Sequence, residues 1–562
     1  MGDAPFGTTP VAKPLVVADP AATTWDRETD LLVIGCGAAG ASAALEGAEQ
    51  GLDVIIADRF QGGGASALSG GIVYTGGGSK YQHQAGYSDS VDAMYDYLRH
   101  EVEEAVSPAT LRRFCEDSLA QLAWLESHGV EFDGTPSPHK TSYPQRPHFL
   151  YYSGNEAVAA YAGKEPPAPR GHRVKGGPFS GLQLMNGLKA SLRRMKSVTF
   201  LTQAAARRLI VTSAGEVVGA EIWQVPEGPA AALHRLFENL GKHMFLQTIG
   251  VGRPLLRWLS RIEARRARPM RVRARKGVVL AAGGFIKNRA LVHRLAPKYE
   301  GGFPLGSAGC DGSGLRLGLS AGAATARLGT ISAWRFIDPP LGWVKGIVVD
   351  KTGKRLTNEE QYGARIGDAI MERAQGGAWL IIDRAVHDEA QAELRNEEIW
   401  AFQKFPAKLM MRFAAAKAKS IEGLATALGL PAGALVETVA AYNDAARGRI
   451  PDAFGKSQGM MSPLAMPPFM AIDISCRNKF FPLAVLSLGG LAVDEETGAV
   501  RGGDGPIPGL YAAGRSACGI PSNFYVSGLS LADCVWSGRR AARSVAKASQ
   551  DEARAGRKLA SA

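Results

Sequence analysis

Apolar residues recur along the chain in short unbroken runs, separated by glycine-rich turns and longer amphipathic stretches. Leu31-Leu32-Val33-Ile34 is the first such run, and its continuity predicts a strand buried on both faces. Ala41 to Gln50 follows as a small-residue helix stopped by Gly51, and Asp53 to Ala57 as a second strand with Asp58 at its end. Residues 88–129 read as helices: Ser107-Pro108 supplies a cap and first turn, Leu111, Phe114, Leu119, Leu122 and Leu125 line one face, and Gly129 closes it. Residues 130–176 are rich in Pro, Tyr and His and predict irregular chain; residues 1–26 predict a loosely ordered lead-in. Over 199–224 apolar and polar positions alternate as in a hairpin: Thr199 to Leu201, then Arg208 to Thr212, a turn at Ser213-Ala214-Gly215, then Val217 to Trp223. Two later runs, Gly277 to Phe285 and Gly509 to Arg515, have the form of buried parallel strands ending in glycine turns. The stretch between them has its own strand (Gly346 to Asp350) and helix (Leu430 to Asn443). The pattern predicts an α/β chain, α+β overall: a split Rossmann-like domain formed by 1–325 and 479–562, with a second domain inserted at 326–478.

The first strand and helix are joined by Gly35-Cys36-Gly37-Ala38-Ala39-Gly40, the spacing G-x-G-x-x-G. Gly35 permits a tight turn, Gly37 lets backbone approach a pyrophosphate, and Gly40 lets the helix pack close to the strand. The helix start, at Ala38 and Ala39, offers N–H groups and a positive dipole end to phosphates. Asp58 is placed to accept from ribose hydroxyls, with Arg59 beside it. The run Gly62 to Gly71, containing Ala65, Ser66, Ser69, Gly70 and Gly71, suits backbone lying against a large flat ligand.

Bulk composition narrows the class. No apolar run reaches membrane-spanning length, and Met1-Gly2-Asp3-Ala4-Pro5 does not open a secretory signal, so cytoplasmic residence is expected. Six scattered cysteines without C-x-x-C, and histidines without paired spacing, predict neither a disulfide framework nor a metal site. The net charge of +12 is concentrated: between Pro229 and Lys276 twelve Arg or Lys face two acids, Glu238 and Glu263, a local excess of ten. Nucleic-acid binders spread such charge along a face, so no nucleic-acid partner is expected. Within this insertion, 226–272, Leu233, Leu236, Phe237, Leu240 and Met244 recur at helical spacing, as do Leu255, Trp258, Leu259 and Ile262, flanked by Arg257, Arg261, Arg265, Arg266 and Arg268. Basic amphipathic helices of this kind lie in membrane interfaces, so 229–268 is expected to make peripheral contact with the inner face of the cytoplasmic membrane. A helical hairpin packed on the protein or in an oligomer interface fits the same pattern.

The fingerprint, Gly63 to Gly71, Ala281-Ala282-Gly283-Gly284, Leu488-Gly489-Gly490-Leu491 and Pro506 to Arg515 together resemble the fumarate reductase and 3-ketosteroid dehydrogenase flavoproteins. The resemblance implies FAD in the split domain and an inserted domain that caps the substrate. It implies further FAD contacts at Gly283, Gly284, Gly514 and Arg515, main-chain contact of Ala206 with the adenine, and backbone donors at Ser530 and Leu531 for the flavin pyrimidine. Gly64 stands near the histidine that tethers FAD in succinate dehydrogenases, so the cofactor is expected to be non-covalent. Tyr525 stands where dicarboxylate members carry an arginine, and a phenol cannot form a bidentate pair with a carboxylate. Tyr525-Val526-Ser527-Gly528, Glu359 to Gly367 around Tyr362, and Pro167 to His172 are instead similar to the Δ4-(5α) 3-ketosteroid dehydrogenases. That similarity implies Ser527 as proton acceptor, Tyr362 and Tyr525 as relay, and Tyr525 with the Gly528 backbone at the 3-oxo group. The substrate is then a hydrophobic steroid that loses a C4 proton and a C5 hydride, the latter to FAD N5; the electron acceptor is unspecified. A Δ1-dehydrogenase is the alternative within the group; it would use a further tyrosine from the flavin domain, with Tyr143, Tyr151 and Tyr152 as candidates. A flavin alkene reductase running in the opposite direction is the other.

Overall fold

In the computed structural model, which describes residues 7–241 and 252–560, apolar runs from both ends of the chain meet in one nine-stranded sheet. Its order is Leu15–Val17, Ala204–Thr212, Val217–Gln224, Arg268–Leu280, Arg27–Ile34, Val54–Ala57 and Val198–Leu201. Pro506–Ala512 also pairs with Arg268–Leu280, and Ala499–Arg501 pairs with Pro506–Ala512. Leu31–Ile34 lies parallel to Val54–Ala57 on one side and to Gly277–Leu280 on the other. Leu31, Leu32, Val33, Val278, Val279 and Leu280 have no exposed surface, as strands covered on both faces require. The helix Ala38–Glu49 packs against the C-terminal helix Leu529–Ala560. There buried Glu46 accepts from Arg539 and Arg543 at 2.6 and 2.7 Å, joining the start of the fold to its end.

Arg268–Leu280 is bifunctional. Arg268–Arg273 runs antiparallel to Val217–Gln224, and Val278–Leu280 runs parallel to Leu510–Ala512. The basic insertion therefore stands where a hairpin turn would be, as a pair of packed helices, Pro229–Gly241 and Gly252–Arg266. Residues 347–473 build a separate antiparallel sheet of Ile347–Val349, Trp379–Ile382, Phe469–Asp473 and Ala415–Ala418. The two crossings between the units are stitched together. Ala484–Ser487 pairs with both Phe303–Pro304 and Ile331–Trp334, and Thr325–Ala326 pairs with Gly490–Leu491. No helix among the described residues is long and apolar enough to cross a membrane.

Some expectations are corrected. The lead-in contributes the edge strand Leu15–Val17, parallel to Ile210–Thr212, and Thr9 donates twice to Asp311, at 2.6 and 2.7 Å; these bonds order it. Val198–Leu201 is a parallel strand beside Val54–Ala57, while the hairpin is Ala204–Thr212 with Val217–Gln224. Alternation marks a strand but not its partner. Leu119 is 38% exposed, because the helix breaks at Asp117 into Pro108–Glu116 and Ser118–Ser127 and the second piece no longer shares the first one's face.

Candidate active site

A cleft of about 810 Å³ opens at the carboxyl ends of Arg27–Ile34, Val54–Ala57 and Arg268–Leu280, where α/β sheets place their ligands. Gly35, Gly37, Ala38, Ala39, Asp58, Arg59, Ala65, Ser66, Ala206, Gly283 and Arg515 line it. Gly35 sits at φ +102°, and a Cβ there would meet the Ala281 carbonyl oxygen at 2.6 Å; a Cβ on Gly40 would lie 1.8 Å from the Gly35 carbonyl. These two glycines are dictated by packing. At Gly37 the nearest atom to an added Cβ is Ser66 Oγ, 3.5 Å away, so there the backbone faces open space. Gly37 caps the helix without a side chain, and the Ala38 N–H donates to Ser66 Oγ at 3.0 Å. Asp58 accepts the N–H of Cys36 with one oxygen (2.7 Å) and that of Phe60 with the other (2.8 Å). Those bonds fix the carboxylate in the cleft wall and leave lone pairs for hydroxyl donors.

The remaining predicted positions are not among the residues that line this cleft. Gly70 packs on Tyr143, Gly71 on Ser180 and Gly181, Gly284 on Ser487, and Gly514 on Ala39 and Cys534. Ser69 Oγ donates to the Ser66 carbonyl at 2.7 Å. Ser530 and Leu531 occupy the first turn of Leu529–Ala560, where N–H groups have no partner within the helix.

Four hydroxyl side chains gather where the chain enters that helix. Tyr151 Oη and Ser527 Oγ are 3.0 Å apart. Tyr362, the N-cap of Gly363–Arg373 in the second unit, has its hydroxyl within electrostatic reach of Ser527, Tyr151 and Tyr525. Tyr525 packs on Trp334 with ring centres 4.5 Å apart and planes tilted by 37°, and the Gly528 N–H is directed toward its hydroxyl. Tyr151, Tyr362 and Ser527 are buried. Burial pushes Tyr151 and Tyr362 well above the usual phenol range. It pushes Tyr525 up to about 12, against the pull of Arg515 and of the Gly528 N–H. At neutral pH these groups are uncharged, able to pass a proton or donate a hydrogen bond. Gly528 is fixed by geometry: it has φ +87°, and a Cβ there would lie 2.8 Å from Ile72 Cγ2 and 2.9 Å from the Tyr74 nitrogen.

Of the three tyrosines the sequence left open, Tyr143 donates to the carbonyls of Gly70 and Pro178 (2.9 and 2.6 Å) and Tyr152 to that of Pro167 (3.1 Å); Tyr151 is the one beside Ser527. Sequence reasoning missed two supports. Trp334 carries no motif. Asn155 lies in the irregular stretch, yet its Oδ1 accepts the Tyr362 N–H at 2.6 Å. Asn155 Nδ2 donates to Glu101 at 2.6 Å, and Glu101 is bridged to Arg365 at 2.9 Å. This network holds Tyr362 against the first unit.

The insertion reaches the other end of the cleft. Glu263 takes Arg59 with both oxygens, 2.9 Å each; Asp311 meets the same guanidinium at 3.1 Å, and His234 Nε2 lies 3.1 Å from Glu263. Burial works to raise the Glu263 carboxyl, but Arg59 and His234 outweigh it and hold it down at about 2. Arg59 thus lines the cleft with its charge already committed. The helical periodicity of the insertion holds, but in Pro229–Gly241 the inward face is the polar one, while Gly252–Arg266 buries apolar Leu259 together with Glu263. Ala231, His234 and Glu238 turn inward, whereas Leu233, Leu236, Leu240 and Trp258 are 43, 52, 41 and 53% exposed. A buried guanidinium must be paired, and the inward polar stripe supplies its partner. Met244 lies outside the described residues.

A family model described as FAD binding domain matches residues 30–528. The chain is 43% identical to the 3-oxo-5-alpha-steroid 4-dehydrogenase of Comamonas testosteroni over 519 residues, covering 90% of this chain and 96% of that one. It is 25% identical to the 3-oxosteroid 1-dehydrogenase of Mycobacterium tuberculosis over 560 residues, covering 89% and 94%. Among solved structures, the 3-ketosteroid-Δ4-(5α)-dehydrogenase of Rhodococcus jostii RHA1, in complex with 4-androstene-3,17-dione, superposes with a TM-score of 0.78 at 28% identity, covering 95% of this chain and all of that one.

Proposed function

The chain belongs to the FAD binding domain family, and from that premise we propose that it is a flavin-dependent 3-ketosteroid dehydrogenase that introduces the C4–C5 double bond. The observation that carries the reading is the meeting of Tyr362, from the second unit, with Tyr151 and Ser527 from the first. FAD, held without a covalent bond along the glycine-rich cleft, supplies the hydride acceptor. The chain's own residues supply position and proton handling. Ser527 takes the C4 proton and hands its own to the phenols beside it. The Tyr525 hydroxyl, oriented by the Gly528 N–H, holds the 3-oxo group as charge builds on oxygen; one such donor lowers a barrier by about 3 kcal/mol. Uncharged hydroxyls do this work without placing an ion in an apolar steroid pocket, where burying an ion is costly. The 326–478 unit, which brings Tyr362, caps the substrate.

The test is turnover of a saturated 5α-3-ketosteroid with an artificial electron acceptor, followed by product analysis. Ser527→Ala and Tyr525→Phe are expected to lower kcat by ~10²–10⁴-fold with flavin content retained. Unchanged turnover in both, or no 4-ene product from the wild type, refutes the reading. The placement of Tyr151 favours desaturation at C1–C2 as the second reading, and the same product analysis separates the two.

The insertion's outer face supports a peripheral contact with an anionic lipid surface at the inner side of the cytoplasmic membrane. Exposed Leu233, Leu236, Leu240 and Trp258 share the hairpin with exposed Arg257, Arg261, Arg265 and Arg266. Each such cation contributes roughly 1 kcal/mol near an anionic leaflet. Because deleting the hairpin would strip Glu263 from Arg59, the informative variant replaces those four apolar residues with serine. It should lose flotation with anionic vesicles while keeping its flavin; undiminished flotation removes the membrane role.

A further inference from the structure

Proton disposal is the step that the four hydroxyls leave incomplete. Each turnover breaks the C4–H bond and delivers a proton to Ser527, and neutral hydroxyls can pass a proton on but cannot keep it. A base at the end of the chain would hold that proton before solvent removes it.

Glu156 is placed to be that base. Its side chain is buried. Oε2 accepts the Gly154 N–H at 2.8 Å, while Oε1 has no hydrogen-bond partner among the described residues. The loop carrying it is fastened to the hydroxyl cluster at two points. Asn155 binds the Tyr362 backbone, and Gly154 lies against Val526, the residue between Tyr525 and Ser527: a Cβ on Gly154 would come within 2.8 Å of Val526 Cγ1. The Glu156 charge acts on both Tyr151 and Tyr362. Glu156 also lines a second cavity, open to solvent, together with Tyr97, Arg170, Asp96, His100 and Lys164. This cavity shares no residue with the cofactor cleft.

We propose that Glu156 is the terminal acceptor of the hydroxyl relay and discharges its proton into this second cavity, away from the steroid; this rests on the dehydrogenase reading above. Ser527 Oγ takes the C4 proton as its own passes to a neighbouring phenol. Among the described residues no phenol hydrogen-bonds Glu156 directly, so the phenol's proton crosses one bridging water to the Glu156 carboxylate and then reaches water in the cavity. The C4–H electron pair becomes the new double bond, and the C5–H pair leaves as hydride to the flavin. The charged groups facing Glu156 are Arg170, itself bridged to Asp89 at 2.6 Å, together with Glu101 and Lys140. The phenols facing it, besides Tyr151 and Tyr362, are Tyr74, Tyr97 and Tyr152. Burial, opposed by Arg170, pushes the carboxyl up to about 7, so the base form accumulates as pH rises through neutrality.

The test is flavin reduction in the holoenzyme by a saturated 5α-3-ketosteroid, followed across the neutral pH range. The wild-type rate should rise as pH passes about 7. Glu156→Gln should be ~10²-fold slower, lose that inflection, keep substrate affinity, and regain rate with added acetate or formate entering through the cavity. Glu156→Asp should be intermediate, with the inflection displaced, and it carries the test if the Gln variant loses flavin. A wild-type enzyme that does not reduce its flavin with the steroid overturns the dehydrogenase reading and the relay with it. A wild type that does so with no inflection near neutrality, or a Gln variant that keeps both rate and inflection, overturns the relay alone.

Discussion

Replacing Glu263 with glutamine tests the claim that the basic insertion is part of the cofactor domain. In the folded chain the Glu263 carboxyl is held at about 2, against about 4.3 when unfolded. That difference of about two pH units corresponds to about 3 kcal/mol of stability. The folded value lies below the unfolded one, so the contribution is fully present above pH ~4.3 and is lost as pH falls toward 2. Glutamine keeps the shape and removes the charge. Arg59, with a side chain only 8% exposed, retains Asp311 at 3.1 Å. The expected cost is therefore about 3 kcal/mol, the lower end of the range for breaking a buried pair. Chemical denaturation of the holoenzyme at neutral pH should show this loss, and added salt should not erase it because the pair is buried. The gap between wild type and variant should narrow below pH ~4, where Glu263 of the unfolded wild-type chain takes up a proton while the folded one stays ionised. FAD should be released at lower denaturant concentration, because Arg59 and Asp58 form the same cleft wall. Trp258→Ser, on the outer face of the same helix, serves as the control and should change stability little. Equal stability of Glu263→Gln and wild type at neutral pH, or a gap that does not depend on pH, would refute the reasoning.

Two further outcomes follow from the geometry. Gly528→Ala combines a left-handed backbone with a Cβ 2.8 Å from Ile72 Cγ2 and 2.9 Å from the Tyr74 nitrogen. It should cost well over ~1 kcal/mol and lower kcat by displacing Ser527, measured by denaturation and by steroid turnover. Acid precipitation of the holoenzyme should leave all flavin absorbance in the supernatant, since Gly64 offers no side chain to tether it; yellow colour remaining in the pellet contradicts this.

Local signals were legible where chemistry and chain geometry coincide within a few residues. The strand, turn and helix around Gly35, Gly37 and Gly40 could be read because each glycine answers a constraint set by its immediate neighbours. Tyr525, Ser527 and Gly528 lie on one turn, so their proximity to each other was never in question. Tyr143, Tyr151 and Tyr152 could not be ranked from the sequence: all three lie in irregular chain, and what separates them is which carbonyl or hydroxyl each meets across the fold. Asn155 and Trp334 carried no pattern at all.

The insertion shows the same division. Helical periodicity of Leu233, Leu236 and Leu240 was plain in the sequence, but which face of that helix turns inward depends on what it packs against. Glu263 and Arg59 are 204 residues apart, and only the tertiary structure sets that carboxylate beside a buried guanidinium. The amino-acid order alone determined the nucleotide-binding turn, the split of the sheet and the class of cofactor, because those are encoded in short-range steric and periodic constraints. The folded chain decided which hydroxyls share a site and where charge is buried, because pairing and desolvation are properties of residues brought together from distant parts of the sequence.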